Sequence, residues 1–263
     1  MDLGLDGDAA LVTAGSSGLG LASAEALAAA GADVAVCGRT AEHITAARET
    51  LEATGDGDVL AVKADITNPD AIARFVEETA EAFGGLDHVV TSAGGPPSGS
   101  FLEMDDEDFQ DAYDLLVMSV VRTTRAAHPY LVEGDGTGSI VNITSRSVKE
   151  VIDGLVLSNS VRRAVIGLMK TQADEFAPDV RVNAVLPGAH ETSRITDLVE
   201  QSVERGEFED YEAGMEAWSQ GIPLERVGNP EELGETVAWL CSDAASYVTG
   251  TAIPVDGGSM RSV

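Results

Sequence analysis

The chain contains few lysines, aromatic residues and cysteines. Lysine occurs three times in 263 residues, and aromatic residues make up 5% of the chain. The two cysteines, Cys37 and Cys241, are too few for a disulfide framework or a zinc site by themselves, so we expect no metal centre. No apolar run approaches the roughly 18–20 residues that cross a bilayer, and residues 1–8 lack the basic and then apolar order of a signal peptide. These absences favour a soluble, cytoplasmic protein without a membrane partner.

Positive charge is scarce. The 45 Asp and Glu residues against 16 Lys and Arg residues give a formal net charge of −29. Such a surface repels nucleic acid and anionic membranes, which excludes both as bulk partners. The acidic residues are spread along the chain, and this composition resembles that of proteins from salt-loading halophiles. We hypothesise that the folded state requires high salt, because salt screens the self-repulsion of the surface.

The apolar content is high enough for a folded core, at 44% hydrophobic residues with 28 glycines besides. Short apolar runs alternate with stretches of helical spacing, which predicts βαβ units and a parallel sheet covered on both faces. The predicted fold is a single doubly wound α/β (Rossmann) domain over residues 1–263. The predicted strands are 11–14, 34–37, 59–62, 88–90, 140–143, 180–185 and 252–255.

A glycine-rich turn follows the first predicted strand. Residues 13–20 read Thr-Ala-Gly-Ser-Ser-Gly-Leu-Gly and lead directly into a predicted helix. Glycine lets the backbone approach a pyrophosphate, and the N-terminus of the helix offers free N–H donors. A tight turn without a ligand is the alternative interpretation. The position between a strand and a helix favours a dinucleotide site.

The end of the second predicted strand bears on the choice between NAD and NADP. A carboxylate there binds the ribose 2′-hydroxyl of NAD, whereas an arginine accommodates the 2′-phosphate of NADP. The sequence has no acid at this point, and Arg39 follows Gly38 directly. This pattern predicts NADP as the cofactor, with NAD as the alternative and a solvated surface arginine as the interpretation without a ligand.

These features, with four further motifs, resemble the single-domain short-chain dehydrogenase/reductase family over essentially the whole chain. The motifs are Thr-Ser-Ala-Gly at 91–94, Val-Asn-Ile-Thr-Ser at 141–145, Arg-Val-Asn-Ala-Val-Leu-Pro-Gly at 181–188 and Val-Asp-Gly-Gly at 255–258. The chain resembles the members often labelled 3-oxoacyl carrier-protein reductases. The family usually has glycine where this chain has Ala14. The resemblance implies cofactor contacts at Gly15, Ser16, Ser17, Gly18, Leu19, Gly20, Arg39, Asp65, Ile66, Ala93, Gly94, Pro187, Gly188 and Thr192.

The resemblance fails at the family's catalytic residues, which are asparagine, serine, tyrosine and lysine. Ser145 matches the serine, which positions the carbonyl. Ser158 stands where the tyrosine that moves the proton is expected, and Arg162 replaces the lysine. The asparagine position falls on Leu116. None of the four tyrosines in the chain has a lysine four residues later, so the catalytic residues implied here are Ser145, Ser158 and Arg162.

The missing phenol leaves the source of the proton open. A serine hydroxyl is a much weaker acid than a phenol, and arginine stays protonated near neutral pH. Lys149 and His190 are candidates, because one follows Ser145 closely and the other lies in the segment that should border the nicotinamide. For each of them, an ordinary surface residue is the alternative interpretation. His43, His88 and His128 are expected to be packing residues.

Two functions fit these observations. One is an NADP-dependent oxidoreductase that acts on a small carbonyl or alcohol substrate with an atypical site. The other is a nucleotide-binding regulatory or structural subunit without turnover. The resemblance further implies a helical lid over the substrate at about 190–226 and assembly as a homotetramer or homodimer.

Overall fold

The computed structural model describes residues 3–134 and 138–262. Within these residues, seven strands form one parallel sheet in the order β3-β2-β1-β4-β5-β6-β7. This confirms the predicted doubly wound α/β fold. The first strand begins and ends two residues earlier than predicted, because Ala14 already turns the chain with a φ of 47°. The strands are Ala9–Val12 (β1), Asp33–Gly38 (β2), Val59–Lys63 (β3), His88–Thr91 (β4), Gly138–Ile143 (β5), Val180–Pro187 (β6) and Ala252–Val255 (β7).

Helices connect the strands, and the long helical stretch between β4 and β5 is interrupted. A π-helical turn at Asp114–Met118 separates its two halves. In the described part of the chain, no helix is long and apolar enough to span a membrane. The α-helices are Gly18–Ala29 (α1), Ala41–Thr54 (α2), Pro69–Phe83 (α3), Asp106–Tyr113 (α4), Ser119–Leu131 (α5), Val156–Glu175 (α6), Ser193–Glu204 (α7), Tyr211–Ser219 (α8) and Pro230–Cys241 (α9).

The core has one apolar layer on each face of the sheet. Successive strand residues point to opposite faces, so Val34 and Val36 pack with α1, α2 and α9, whereas Ala35 and Cys37 pack with α3, α5 and α6. Both faces are covered, which is why the strands are continuously apolar rather than alternating with polar residues. Burial also raises the pKa of the Cys37 thiol to about 12, so it behaves as a small apolar residue.

The strand order places a crevice at the carboxyl end of the sheet, between β1 and β4. β1 lies between β2 and β4, so the connection after β1 runs to one side and the connection after β4 runs to the other. Ligands of open α/β sheets bind outside the carboxyl ends of the strands at such a switch point. We therefore expect a ligand site at the segments that follow β1, β2, β4 and β5.

Candidate active site

A cavity of about 400 Å³ lies at the carboxyl ends of these strands. We call it the cleft. It gathers most of the residues predicted to bind the cofactor, and Arg162 lines it as well. Gly15, Gly20, Pro187 and Gly188 do not line this cavity. The predicted cofactor residues that do line it are Ser16, Ser17, Gly18, Leu19, Arg39, Asp65, Ile66, Ala93, Gly94 and Thr192.

The glycines of the first turn have two different roles. Gly18 begins α1 with a φ of 57°, and a Cβ at Gly18 would lie only 3.8 Å from Thr192 Cγ2, so the turn and the segment before α7 face each other closely. Gly15 and Gly20 are buried beneath the turn instead. A Cβ at Gly20 would lie 2.6 Å from the carbonyl oxygen of Ala14. These two glycines therefore let the turn pack tightly rather than line the cleft.

The rim of the cleft beside β2 carries positive charge. Arg39 is exposed there, and its charge acts on Asp65, whose carboxylate lies in the lining. The backbone N–H of Thr67 is the main reason that the pKa of Asp65 is below its usual value, and Arg39 adds to the effect. The neighbouring His43 is also exposed and lines the cleft, so the expectation that it packs in the interior is wrong. The buried face of α2 starts one residue later, at Ile44.

The three predicted catalytic residues are held by β5, α6 and the segment between them. Ser145 is the second residue after β5 and caps a 3₁₀ turn at Arg146–Val148, where its Oγ accepts a hydrogen bond of 3.1 Å from the backbone N–H of Ser147. Ser158 and Arg162 lie one turn apart on α6, as their spacing predicts. The hydroxyl of Ser158 lies 2.9 Å from that of Ser147.

The guanidinium of Arg162 connects two strand ends. Its Nη1 donates to the carbonyl oxygen of Thr144 at 3.3 Å, and its Nη2 donates to that of Gly94 at 3.4 Å. Thr144 follows β5 and Gly94 follows β4, so the cation lies across the crevice between these strands. Only 9% of the Arg162 surface is exposed. A permanently charged group at this depth stabilises negative charge on a ligand in the cleft.

Leu116 and Thr91 have different partners near the cleft. Leu116, at the asparagine position of the family, lies in the π-helical turn and is buried with Leu157 and Val161, so it contributes packing and no hydrogen bond from its side chain. Thr91 is the last residue of β4. Its hydroxyl donates to Oδ1 of Asn142 at 2.7 Å and thereby connects β4 to β5.

The two candidate proton donors have different surroundings. Lys149 is exposed at the end of the 3₁₀ turn that follows Ser145. His190 does not reach the cleft: its ring lines a second cavity with Arg226 and Glu232. Pairing of the backbone at His190 with Gly228 turns the ring away, and burial lowers the pKa of His190 below its usual value. We therefore discard His190 as a proton donor, whereas Lys149 stays a candidate.

The segment that the sequence predicts as a lid is anchored by buried apolar side chains, among them Ile195, Val199 and Ile222. Residues 190–226 contain α7 and α8. The Tyr211 hydroxyl of α8 donates to the Glu191 carboxylate, which precedes α7, and lies 3.4 Å from the Thr196 hydroxyl in α7. The loop before α6 is held by Asn159, a residue of that helix. Asn159 accepts from the backbone N–H of Ile152 at 3.0 Å and donates to its carbonyl oxygen at 2.8 Å, which fixes that loop.

The cleft suits a dinucleotide. The free N–H groups at the start of α1 and the bare backbone of Gly94, where an added Cβ would meet nothing within 4 Å, leave room for phosphate and ribose groups. Arg39 on the rim supplies the positive charge that a 2′-phosphate requires. In the part of the chain that the structure describes, no group of three or more His, Cys, Asp or Glu side chains is arranged to hold a metal ion.

Comparison with known proteins places these features in context. Residues 13–260 match the profile of a family described as Enoyl-(Acyl carrier protein) reductase. The 3-oxoacyl-[acyl-carrier-protein] reductase of Synechocystis is 34% identical over 258 residues, which cover 97% of each chain. The L-sorbose reductase of Gluconobacter frateurii, crystallised with NADPH and L-sorbose, is 31% identical over the full length of both chains with a TM-score of 0.94. An NADPH-bound short chain oxidoreductase of Pseudomonas aeruginosa, described as containing an atypical catalytic center, is 31% identical with a TM-score of 0.88, covering 98% of this chain and 99% of that one.

Proposed function

The chain belongs to the short-chain dehydrogenase/reductase family, and we propose that it is an NADP-dependent oxidoreductase that interconverts a carbonyl and an alcohol without the family's tyrosine. The observation that carries the proposal is that one cleft gathers the predicted cofactor residues together with Arg162, while Ser145 directly follows a residue of its lining. The NADPH bound to structural neighbours supports the choice of cofactor. The reductases among the relatives favour turnover over a purely structural role.

Reduction of a carbonyl adds a hydride to carbon and a proton to oxygen. Bound NADPH supplies the hydride. The chain must orient the carbonyl and stabilise the negative charge that develops on its oxygen. The oxygen of Ser145 already accepts the N–H of Ser147, so its own proton is available to the carbonyl oxygen. The charge of Arg162 further stabilises the anion.

Ser158 acts as a hydrogen-bond donor rather than as a full acid. Its hydroxyl is far less acidic than a phenol of pKa about 10, so it does not release its proton at neutral pH. The proton that ends on the alcohol therefore comes from water, directly or through Lys149. In the direction of alcohol oxidation, the same groups hold the oxygen while the proton returns to solvent.

The first experiment is a fluorescence titration with NADPH and NADH in molar salt, followed by NADPH oxidation against a panel of carbonyl compounds. Ser145→Ala should lower kcat by roughly a hundredfold, as expected for one donor to a developing oxyanion, and leave the Kd for NADPH unchanged. Ser160→Ala is the matched control, because Ser160 is an exposed serine of α6 that bonds only to its own helix. Full activity of Ser145→Ala would reject its assigned role, and failure to bind either cofactor would overturn the proposal.

Lid, assembly and location complete the proposal. We assign residues 190–226 as the substrate lid, because Thr192 at its start faces Gly18 across the cleft. Assembly as a homotetramer or homodimer is supported by apolar side chains on the surface, among them Phe101 at 68% and Leu102 at 93% exposure. Light scattering in molar salt measures the assembly. The amino-acid composition, with its net charge of −29, also supports a cytoplasmic location and an adaptation to high salt.

A further inference from the structure

Ser147 is a buried serine that contacts both serines of the candidate site. Its side chain has no exposed surface. Its backbone N–H donates to Ser145 Oγ at 3.1 Å, and its Oγ lies 2.9 Å from Ser158 Oγ. One residue therefore connects the serine after β5 with the residue that stands in place of the family's tyrosine.

We propose that Ser147 is a positioning residue that holds Ser145 and Ser158 as a pair of hydroxyl donors for the substrate oxygen. This inference rests on the proposed function. It adds a residue to the site and explains how the weakly acidic hydroxyl of Ser158 is oriented beside Ser145, where the family has a phenol.

The backbone contact fixes Ser145. A serine hydroxyl has one proton and two lone pairs. The N–H of Ser147 occupies a lone pair of Ser145 Oγ, so the Ser145 proton points elsewhere and is available to a ligand. This contact belongs to the backbone, and a substitution of the Ser147 side chain leaves it intact.

The side-chain contact fixes Ser158. Either hydroxyl of the pair is able to donate. When Ser147 donates, the Ser158 hydroxyl is able to donate its proton in a hydrogen bond to the substrate. The hydrogen bond that Ser158 accepts from Ser147 makes Ser158 a stronger donor. When Ser158 donates instead, its proton lies in the hydrogen bond to Ser147 and is not available to the substrate. Substrate oxygen selects the first arrangement, because only that arrangement gives the oxygen a second donor.

The test is a double-mutant cycle of Ser147→Ala and Ser158→Ala, measured as kcat, as KM for the carbonyl substrate and as the Kd for NADPH. Ser147→Ala alone should lower kcat about tenfold, the effect of one hydrogen bond, and leave the Kd for NADPH within twofold of wild type. In the Ser158→Ala background, the same substitution should change kcat by less than twofold, because its only route of action is gone. Ser160→Ala on α6 is the control and should leave all three quantities unchanged.

A structural role for Ser147 predicts a different pattern. In that case Ser147→Ala lowers the denaturation midpoint, and the fold-losses in kcat of the two single variants multiply in the double variant. Such independent losses, or an unchanged kcat for Ser147→Ala, would overturn the inference. Ser147→Cys keeps a weaker donor at nearly the same volume, should give an intermediate kcat, and carries the cycle if the alanine variant does not fold. Absence of turnover in the wild-type protein would instead count against the proposed function itself.

Discussion

Arg39 provides the most selective prediction of the account. Arg39→Ala removes the positive charge at the rim of the cleft, next to the Asp65 carboxylate. A charge-assisted hydrogen bond contributes about 1.5–3 kcal/mol. Because Arg39 is exposed, we take the lower part of this range, about 1.5–2 kcal/mol. That corresponds to a roughly 10–30-fold weaker Kd for NADPH. NADH has no 2′-phosphate, so its Kd should change by less than about threefold.

The assay is a fluorescence titration of each cofactor at the lowest salt concentration at which the protein stays folded, because salt weakens exposed charge interactions. Arg48→Ala is the matched control. Arg48 is exposed on α2 and forms an ion pair with Glu52 at 3.8 Å, outside the cleft lining. Both variants change the net charge by one unit, so the control removes any effect of the overall field. Equal losses for NADPH and NADH, or an equal loss in the control, would refute the phosphate contact.

Three further predictions concern stability. Ala14→Gly should stabilise the protein by about 1 kcal/mol, because an alanine at a φ of 47° is strained; a lower urea midpoint would contradict this. Arg181→Met should destabilise it by about 2–4 kcal/mol in urea unfolding, since this buried guanidinium caps α9 through the carbonyl oxygens of residues 240–242 at 2.7, 2.9 and 3.2 Å. A loss below about 0.5 kcal/mol would show that its desolvation offsets those bonds. Raising NaCl from 0.1 M to 3 M should raise the thermal midpoint steadily, because screening relieves the repulsion within a chain of net charge −29; a midpoint that does not change with salt would reject the halophilic interpretation.

The fold was predictable because its strands are short apolar runs that alternate with stretches of helical spacing. Buried parallel strands need apolar residues on both faces, so each run marks a strand within about two residues. The glycine turn after β1 was predictable for a related reason, since its chemistry depends on the local backbone. The π-helical turn at Asp114–Met118 was not, because its apolar spacing is compatible with one continuous helix.

Side-chain orientation explains where sequence reasoning about the site was incomplete. His190 occurs in the expected segment, but the pairing of that segment with Gly228 turns its ring into another cavity. His43 lies one residue before the buried face of α2 and therefore reaches the cleft. Ser147 gave no sequence signal beyond a second serine after β5, because its contact with Ser158 spans a loop whose path the sequence does not specify.

The central claim is that this chain transfers a hydride without the family's tyrosine. The most direct measurement uses NADPH carrying deuterium at C4 of the nicotinamide, with mass spectrometry of the alcohols formed from a carbonyl panel in molar salt. The account predicts deuterium on the carbinol carbon of at least one product, and about a hundredfold less of it with Ser145→Ala. Tight NADPH binding with no deuterium in any product would contradict the account and leave a nucleotide-binding protein without turnover.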